Sequence, residues 1–193
     1  MPGLVLKAMI PLLGAKTDQY QEALADARRA HDINPNSTLV LLMLVHLEAF
    51  GTEPHQAIEH GLRILRLNPS DSRRHLVYNA MCGAAFAAKR YEDGVRWGLR
   101  AIHEMPRMPQ PYSNVAICYL GIGENEKGKA AFDKAREIAP AHVEARVRGH
   151  TIWVDPEVRE RALTFYRVAA GLEDPNAAQA LRQPPLDGRP RAD

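Results

Sequence analysis

A chain of 193 residues with 46% apolar and 25% charged residues is long enough for one domain with a sizeable core, and its composition is ordinary for a globular protein. The formal net charge is only +2, with the basic residues scattered among acids as Arg28/Arg29, Arg63/Arg66, Arg73/Arg74, Lys127/Lys129 and Arg146/Arg148, so no polybasic arm for nucleic acid or anionic lipid stands out. Two cysteines, Cys82 and Cys118, are too few and too far apart along the chain for a disulfide framework or a zinc site, and read as buried thiols in helices.

The start of the chain is an apolar run from Leu4 to Leu13. It has no basic cluster before it, is broken by Pro11 and is too short to span a bilayer, so the expectation is a cytoplasmic protein with no membrane contact. A helical pattern from Gln19 to Ile33 then ends before Pro35. Three further helical patterns end before Pro69, Pro106 and Pro140, which sets the four prolines 34, 37 and 34 residues apart. Twelve residues before each proline stands a small residue (Ala23, Ala57, Gly94, Gly128), and five before stands Ala30, Ile64, Ala101 or Ala135. Three aligned columns at one period define a repeat of helix pairs. Small residues belong there because antiparallel helices approach closely only where one presents Ala or Gly.

Within the repeats, Tyr78 and Tyr112 open the first helix, which closes near Lys89 or Gly123, and the second follows at once. In the last repeat Ala131, Phe132, Ala135 and Ile138 fall at helical spacing, and Pro140 stops the helix. Three extra residues within Ser70 to Arg74 predict a longer surface loop. After Pro140 comes a capping segment. Asp155-Pro156-Glu157 is a helix start with Asp as N-cap and Pro in the first position, Val158, Ala162, Phe165, Tyr166 and Ala169 make one apolar face, and Gly171 ends it. From Asp174 on, with Pro175, Pro184, Pro185 and Pro190, a disordered tail is expected.

These columns resemble the tetratricopeptide repeat. The segment 112–140, YSNVAICYLGIGENEKGKAAFDKAREIAP, resembles it most, through Tyr112, Val115, Ala116, Tyr119, Gly123, Phe132, Ala135 and Pro140. The segment from Tyr78 keeps Tyr78, Tyr91, Ala101 and Pro106. The segment from Leu41 keeps Ala57 and Pro69 but has Gly51 one place early and Glu48 where an aromatic is usual. The resemblance implies an all-α fold, a right-handed α-solenoid of antiparallel helix pairs. It divides a domain of residues 1–173 into a half repeat (17–36), repeats at 38–71, 75–107 and 109–141, and a cap (142–173), with residues 174–193 as the tail. Residues before Thr17 would be a degenerate first half of the leading repeat.

By the same resemblance the first helices line a concave groove, with Leu39, Leu42, His46 and Phe50 from the first full repeat. Leu76, Asn79, Gly83 and Phe86 follow from the second, and Gln110, Ser113, Ile117 and Leu120 from the third. Leu39, Leu76 and Leu120 read as packing residues before ligand contacts. The partner-binding set is therefore Leu42, His46, Phe50, Asn79, Phe86, Gln110, Ser113 and Ile117. Leu42 and Ser113 occupy columns where a chaperone-carboxylate clamp needs cations, which excludes that mode. A mainly apolar groove with amide side chains suits an amphipathic helix or an extended peptide.

No metalloprotease, Cys-x-x-Cys, nucleophile-elbow or phosphate-loop motif occurs, so neither catalysis nor a cofactor or metal is expected. Among the eight histidines only His46 merits a test, as a partner-facing imidazole. Two functional readings stand. One is a scaffold or adaptor that recruits a protein or peptide partner. The other is a detached regulatory part, because Asn68-Pro69-Ser70-Asp71, Arg90-Tyr91-Glu92 and the segment after Pro140 resemble the C-terminal repeat region of bacterial multidomain adenylate or guanylate cyclases and transcriptional regulators. No cyclase domain precedes the repeats, so that reading too is non-catalytic.

Overall fold

The computed structural model of the chain describes residues 17–182 and contains, among them, ten α-helices and no strand. The helices are α1 (Thr17–Ile33), α2 (Thr38–Phe50), α3 (Pro54–Leu67), α4 (Arg74–Ala87), α5 (Tyr91–Glu104), α6 (Pro109–Gly121), α7 (Asn125–Ile138), α8 (Pro140–Val147), α9 (Pro156–Ala169) and α10 (Pro175–Ala180). The apolar run 4–13 and the tail beyond 182 lie outside the described residues.

Two kinds of helix alternate, and their sequences explain why. In α2, TLVLLMLVHLEAF, all but one of the residues from Leu41 to Phe50 are buried, and in α4 every residue from Val77 to Ala87 is buried. Such helices need neighbours on every side. They have them: α2, α4 and α6 pack side by side, and each also packs on the second helix of its own pair. The second helices α3, α5 and α7 bury one stripe only, for example Ala57, Ile58, Gly61 and Ile64 in α3, and turn charged residues outward.

Chain punctuation is local chemistry. Ser37 caps α2 by accepting from the Val40 N–H at 3.4 Å, and Asp155 caps α9 by accepting from the N–H groups of Glu157 and Val158 at 2.8 and 3.2 Å. Between α4 and α5 the chain passes through a left-handed conformation at Lys89 (φ 58°), and between α6 and α7 it does so at Gly123 (φ 89°), 34 residues on. One repeat thus uses glycine at this point, and the other holds a lysine against its preference. Pro140 has a double role. It follows the end of α7 and is itself the first residue of α8, a short helix that runs into the stretch expected as the cap.

One further expectation is corrected. The chain does not leave the fold at Asp174: its carboxylate accepts from the Asn176 N–H at 2.7 Å, Pro175 takes the first position, and α10 forms with Ala178 buried. The two cysteines are buried thiols in helices, as expected, and they meet in space. Cys82 on α4 and Cys118 on α6 stand with their sulfurs 3.9 Å from one another, both fully buried and both free thiols. Gly94 of α5 makes the room, since a Cβ there would lie 2.5 Å from the Cys118 sulfur. The loop 70–73 is ordered by Asp71, whose carboxylate accepts from Arg73 at the main-chain N–H (2.8 Å) and at the guanidinium (2.9 and 2.6 Å). The Arg73 charge and hydrogen bonds pull the Asp71 carboxyl down to about 2.

Candidate partner-binding surface

The face lined by α2, α4 and α6 is largely covered by the chain itself. Residues 151–154 run back from α8 without regular structure, the Val154 N–H donates to the Phe50 carbonyl at 2.8 Å, and α9 then packs on α6, α7 and α8. Trp153 is fully buried, its ring 5.8 Å from Phe50 and 5.4 Å from Phe86. Phe165 packs on Phe86 at 5.6 Å, and Tyr166 stacks on Phe132 at 5.5 Å. These contacts join the ends of three helix pairs into one aromatic core.

This arrangement places the expected groove residues in two groups. Phe50, Phe86, Ser113 and Ile117 are fully buried, the two phenylalanines directly beneath Trp153. Leu42 is 9% exposed and Asn79 6%. The Asn79 side-chain oxygen accepts from the Asn114 amide at 3.1 Å, and the Asn114 oxygen accepts from the Tyr166 hydroxyl at 3.4 Å, a buried polar chain linking α4, α6 and α9. His46 and Gln110 remain half-buried, together with Leu39 and Leu76. The Gln110 side-chain oxygen is buried without a hydrogen-bond partner among the described residues. His46 Nδ1 bonds the Leu42 carbonyl at 2.9 Å, and burial lowers its pKa below the ordinary histidine value, which keeps the ring neutral.

Ser113 and His142 form a pair with the spacing of a nucleophile and its base, 2.8 Å from Oγ to Nε2. The Ser113 hydroxyl is fully buried and also bonds the carbonyls of Pro109 and Gln110 at 3.2 and 3.1 Å. No substrate carbonyl can reach it there, so the pair is a tie between α6 and α8. Glu48, which stands where an aromatic is usual, is buried and accepts from His60 Nδ1 at 2.8 Å, and His60 in turn packs against the His31 ring at 5.5 Å. The departure from the pattern thus supplies a polar tie between α2 and α3. Among the described residues, no group of three or more His, Cys, Asp or Glu is placed to hold a metal, and no helix is long and apolar enough to cross a membrane.

Reading the sequence did not single out Arg161, Asn114 or His142. Arg161 left a signal: it falls among Val158, Ala162 and Phe165 on the apolar stripe of α9, where a charged residue needs a specific partner. It donates to the carbonyls of Phe86 and Ala87, each at 2.9 Å.

Solved structures of the same architecture include MamA, which aligns over 86% of this chain and 85% of its own with a TM-score of 0.56 at 18% identity. A second is YrrB, described as a tetratricopeptide protein with an unusual peptide-binding site, with a TM-score of 0.51 at 15% identity over 86% of this chain and 84% of its own. The fold is a tetratricopeptide-type solenoid. In sequence the chain is 31% identical over 97 residues to Hsp70-Hsp90 organizing protein 2 of Arabidopsis thaliana, a stretch covering 50% of this chain and 17% of that protein's length. No family model matches the chain. These likenesses carry the repeat fold and lend no support to a cyclase-linked ancestry.

Proposed function

We propose that this tetratricopeptide-type chain is a protein-binding scaffold that holds a peptide or helical segment against the face lined by α2, α4 and α6. The observation that carries the reading is that this face already holds a peptide segment in the chain's own fold: residues 151–154 without regular structure, then α9. The part left less covered is the first turn of these helices, where Leu39, Leu76 and Gln110 are half-buried, together with half-buried His46 further along α2. Partly exposed apolar side chains beside the polar side chains of His46 and Gln110 suit an extended or helical peptide. The earlier set of Leu42, His46, Phe50, Asn79, Phe86, Gln110, Ser113 and Ile117 contracts accordingly to His46 and Gln110 as direct contacts, with Leu42 and Asn79 as their support.

A peptide-display panel screened with the full chain tests this. Enrichment of a defined consensus is expected, with binding reduced at least tenfold by Leu39→Lys with Leu76→Lys and unchanged far-UV circular dichroism. A consensus peptide that binds the double variant as well as the parent would remove the face from consideration.

A further inference from the structure

The C-terminal stretch meets all three full repeats at the same place. The Val154 N–H donates to the Phe50 carbonyl at 2.8 Å, Arg161 donates to the Phe86 and Ala87 carbonyls at 2.9 Å each, and Arg182 Nε donates to the Leu120 carbonyl at 2.7 Å. In the repeat register Phe50 corresponds to Ala87, 37 residues on, and Phe86 to Leu120, 34 residues on. All of these carbonyls belong to the last turns of α2, α4 and α6. The Phe86 carbonyl also accepts from the Lys89 N–H and the Leu120 carbonyl from the Gly123 N–H, each at 3.1 Å, which leaves each a second lone pair. The final carbonyls of a helix carry the negative end of its dipole, so a row of three such ends is a row of acceptors for N–H donors. A guanidinium satisfies it best, because one planar group can serve two carbonyls.

Beside the donors the segment makes contacts of the kind that dominate peptide recognition: Trp153 over Phe50 and Phe86, and Phe165 and Tyr166 against Phe86 and Phe132. Its fit is incomplete. Thr151 Oγ1, Trp153 Nε1 and Arg161 Nε are buried without a hydrogen-bond partner among the described residues. The link to α8 passes through exposed Arg148 and His150, with Gly149 at φ 88°.

We propose that residues 151–182 are an intramolecular ligand of the face lined by α2, α4 and α6. The partner segment that face takes has the same chemistry: an aromatic leader entering an amphipathic helix that offers an arginine to the carbonyl row and an aromatic pair one turn beyond it. Such a segment competes with residues 151–182, so the chain is a binder that its own C-terminal stretch holds closed. This rests on the scaffold reading above and adds to it the partner's chemistry and its regulation.

The test uses the full chain carrying a site-specific protease sequence between Gly149 and His150, cut after folding, and a fluorescent synthetic peptide of residues 150–182. The cut chain should keep its helical circular dichroism and exchange its fragment for the labelled peptide at one-to-one stoichiometry. Arg161→Met in the peptide should weaken binding about tenfold, as loss of a charge-assisted hydrogen bond does. The uncut chain should bind the peptide far more weakly, and Arg161→Met in the uncut chain should raise that binding. Loss of helicity on cutting, a fragment that never exchanges, or no rise in the uncut variant would each show the segment to be a fixed part of the fold. A display-derived peptide that binds cut and uncut chains equally would overturn the competition while leaving the scaffold reading intact.

Discussion

Arg161 meets Phe86 twice: its guanidinium donates to the Phe86 carbonyl at 2.9 Å and lies 4.9 Å from the centre of the Phe86 ring. The two contacts use opposite faces of one chemistry, a planar cation that satisfies a helix-end carbonyl and rests on a π surface. Burial lowers the Arg161 pKa but leaves the group protonated, so the charge is present and desolvated. Arg161→Met keeps the apolar stem and removes both contacts. We expect a loss of about 1.5–3 kcal/mol, the range for hydrogen bonds to a charged group, measured by urea unfolding. An unchanged midpoint would mean that α9 is not anchored by this residue.

Gly94 and Cys118 make a size-compensation pair. A Cβ at 94 would sit 2.5 Å from the Cys118 sulfur, while Ala85 at 3.4 Å leaves ordinary room. In the parent chain Gly94→Ala should therefore destabilise. In a Cys118→Ala background the clash is gone, and the same substitution should stabilise by about 1 kcal/mol, the helix-interior preference of alanine over glycine. A thermal-unfolding double-mutant cycle reads the change of sign.

The thiols themselves should be inert in the folded chain. Cys82 and Cys118 are fully buried, and burial pushes the Cys118 thiol up, with the neighbouring Cys82 adding to it. Ellman's reagent should find neither thiol in native buffer and both in denaturant. Rapid native labelling would show that α4 and α6 separate readily.

His142 sets part of the acid sensitivity. Burial, with Arg146 nearby, pushes its pKa from the ordinary 6.5 to about 4. As pH falls from 6.5 towards 4 the unfolded chain takes up a proton that the folded chain does not, so stability present above 6.5 is lost across that window. The full shift corresponds to about 3 kcal/mol, and because the ring is only partly buried we expect about 1–2 kcal/mol. His142→Gln should flatten the dependence of the urea midpoint on pH. A residual slope of the same sign is expected from His46, which burial also lowers.

Ala135 tests the register of the repeat. It is fully buried in α7, so Ala135→Arg drives a charge into a helix crossing and should remove roughly 4 kcal/mol or more. A native melting curve for this variant would contradict the alignment of the three proline-anchored columns.

The helix pairs were legible in the sequence because their causes are local and repeated. Ala57, Gly94 and Gly128 mark close crossings, Pro69, Pro106 and Pro140 mark helix ends, and Asp155-Pro156 marks a capped start, each readable within a few residues. Which groove residues stay open was not legible. Phe50, Phe86 and Ile117 have the same spacing whether the face above them is open or covered, and what covers it is decided by the path of residues 148–155, a stretch without periodicity. Arg161 and Phe86 are 75 residues apart, and no sequence pattern links them. The sequence by itself determined the repeat, its period and the two kinds of helix. Tertiary structure alone decided that the C-terminal stretch folds back over the row of helix ends, because only in three dimensions do last-turn carbonyls from three repeats line up for its N–H groups.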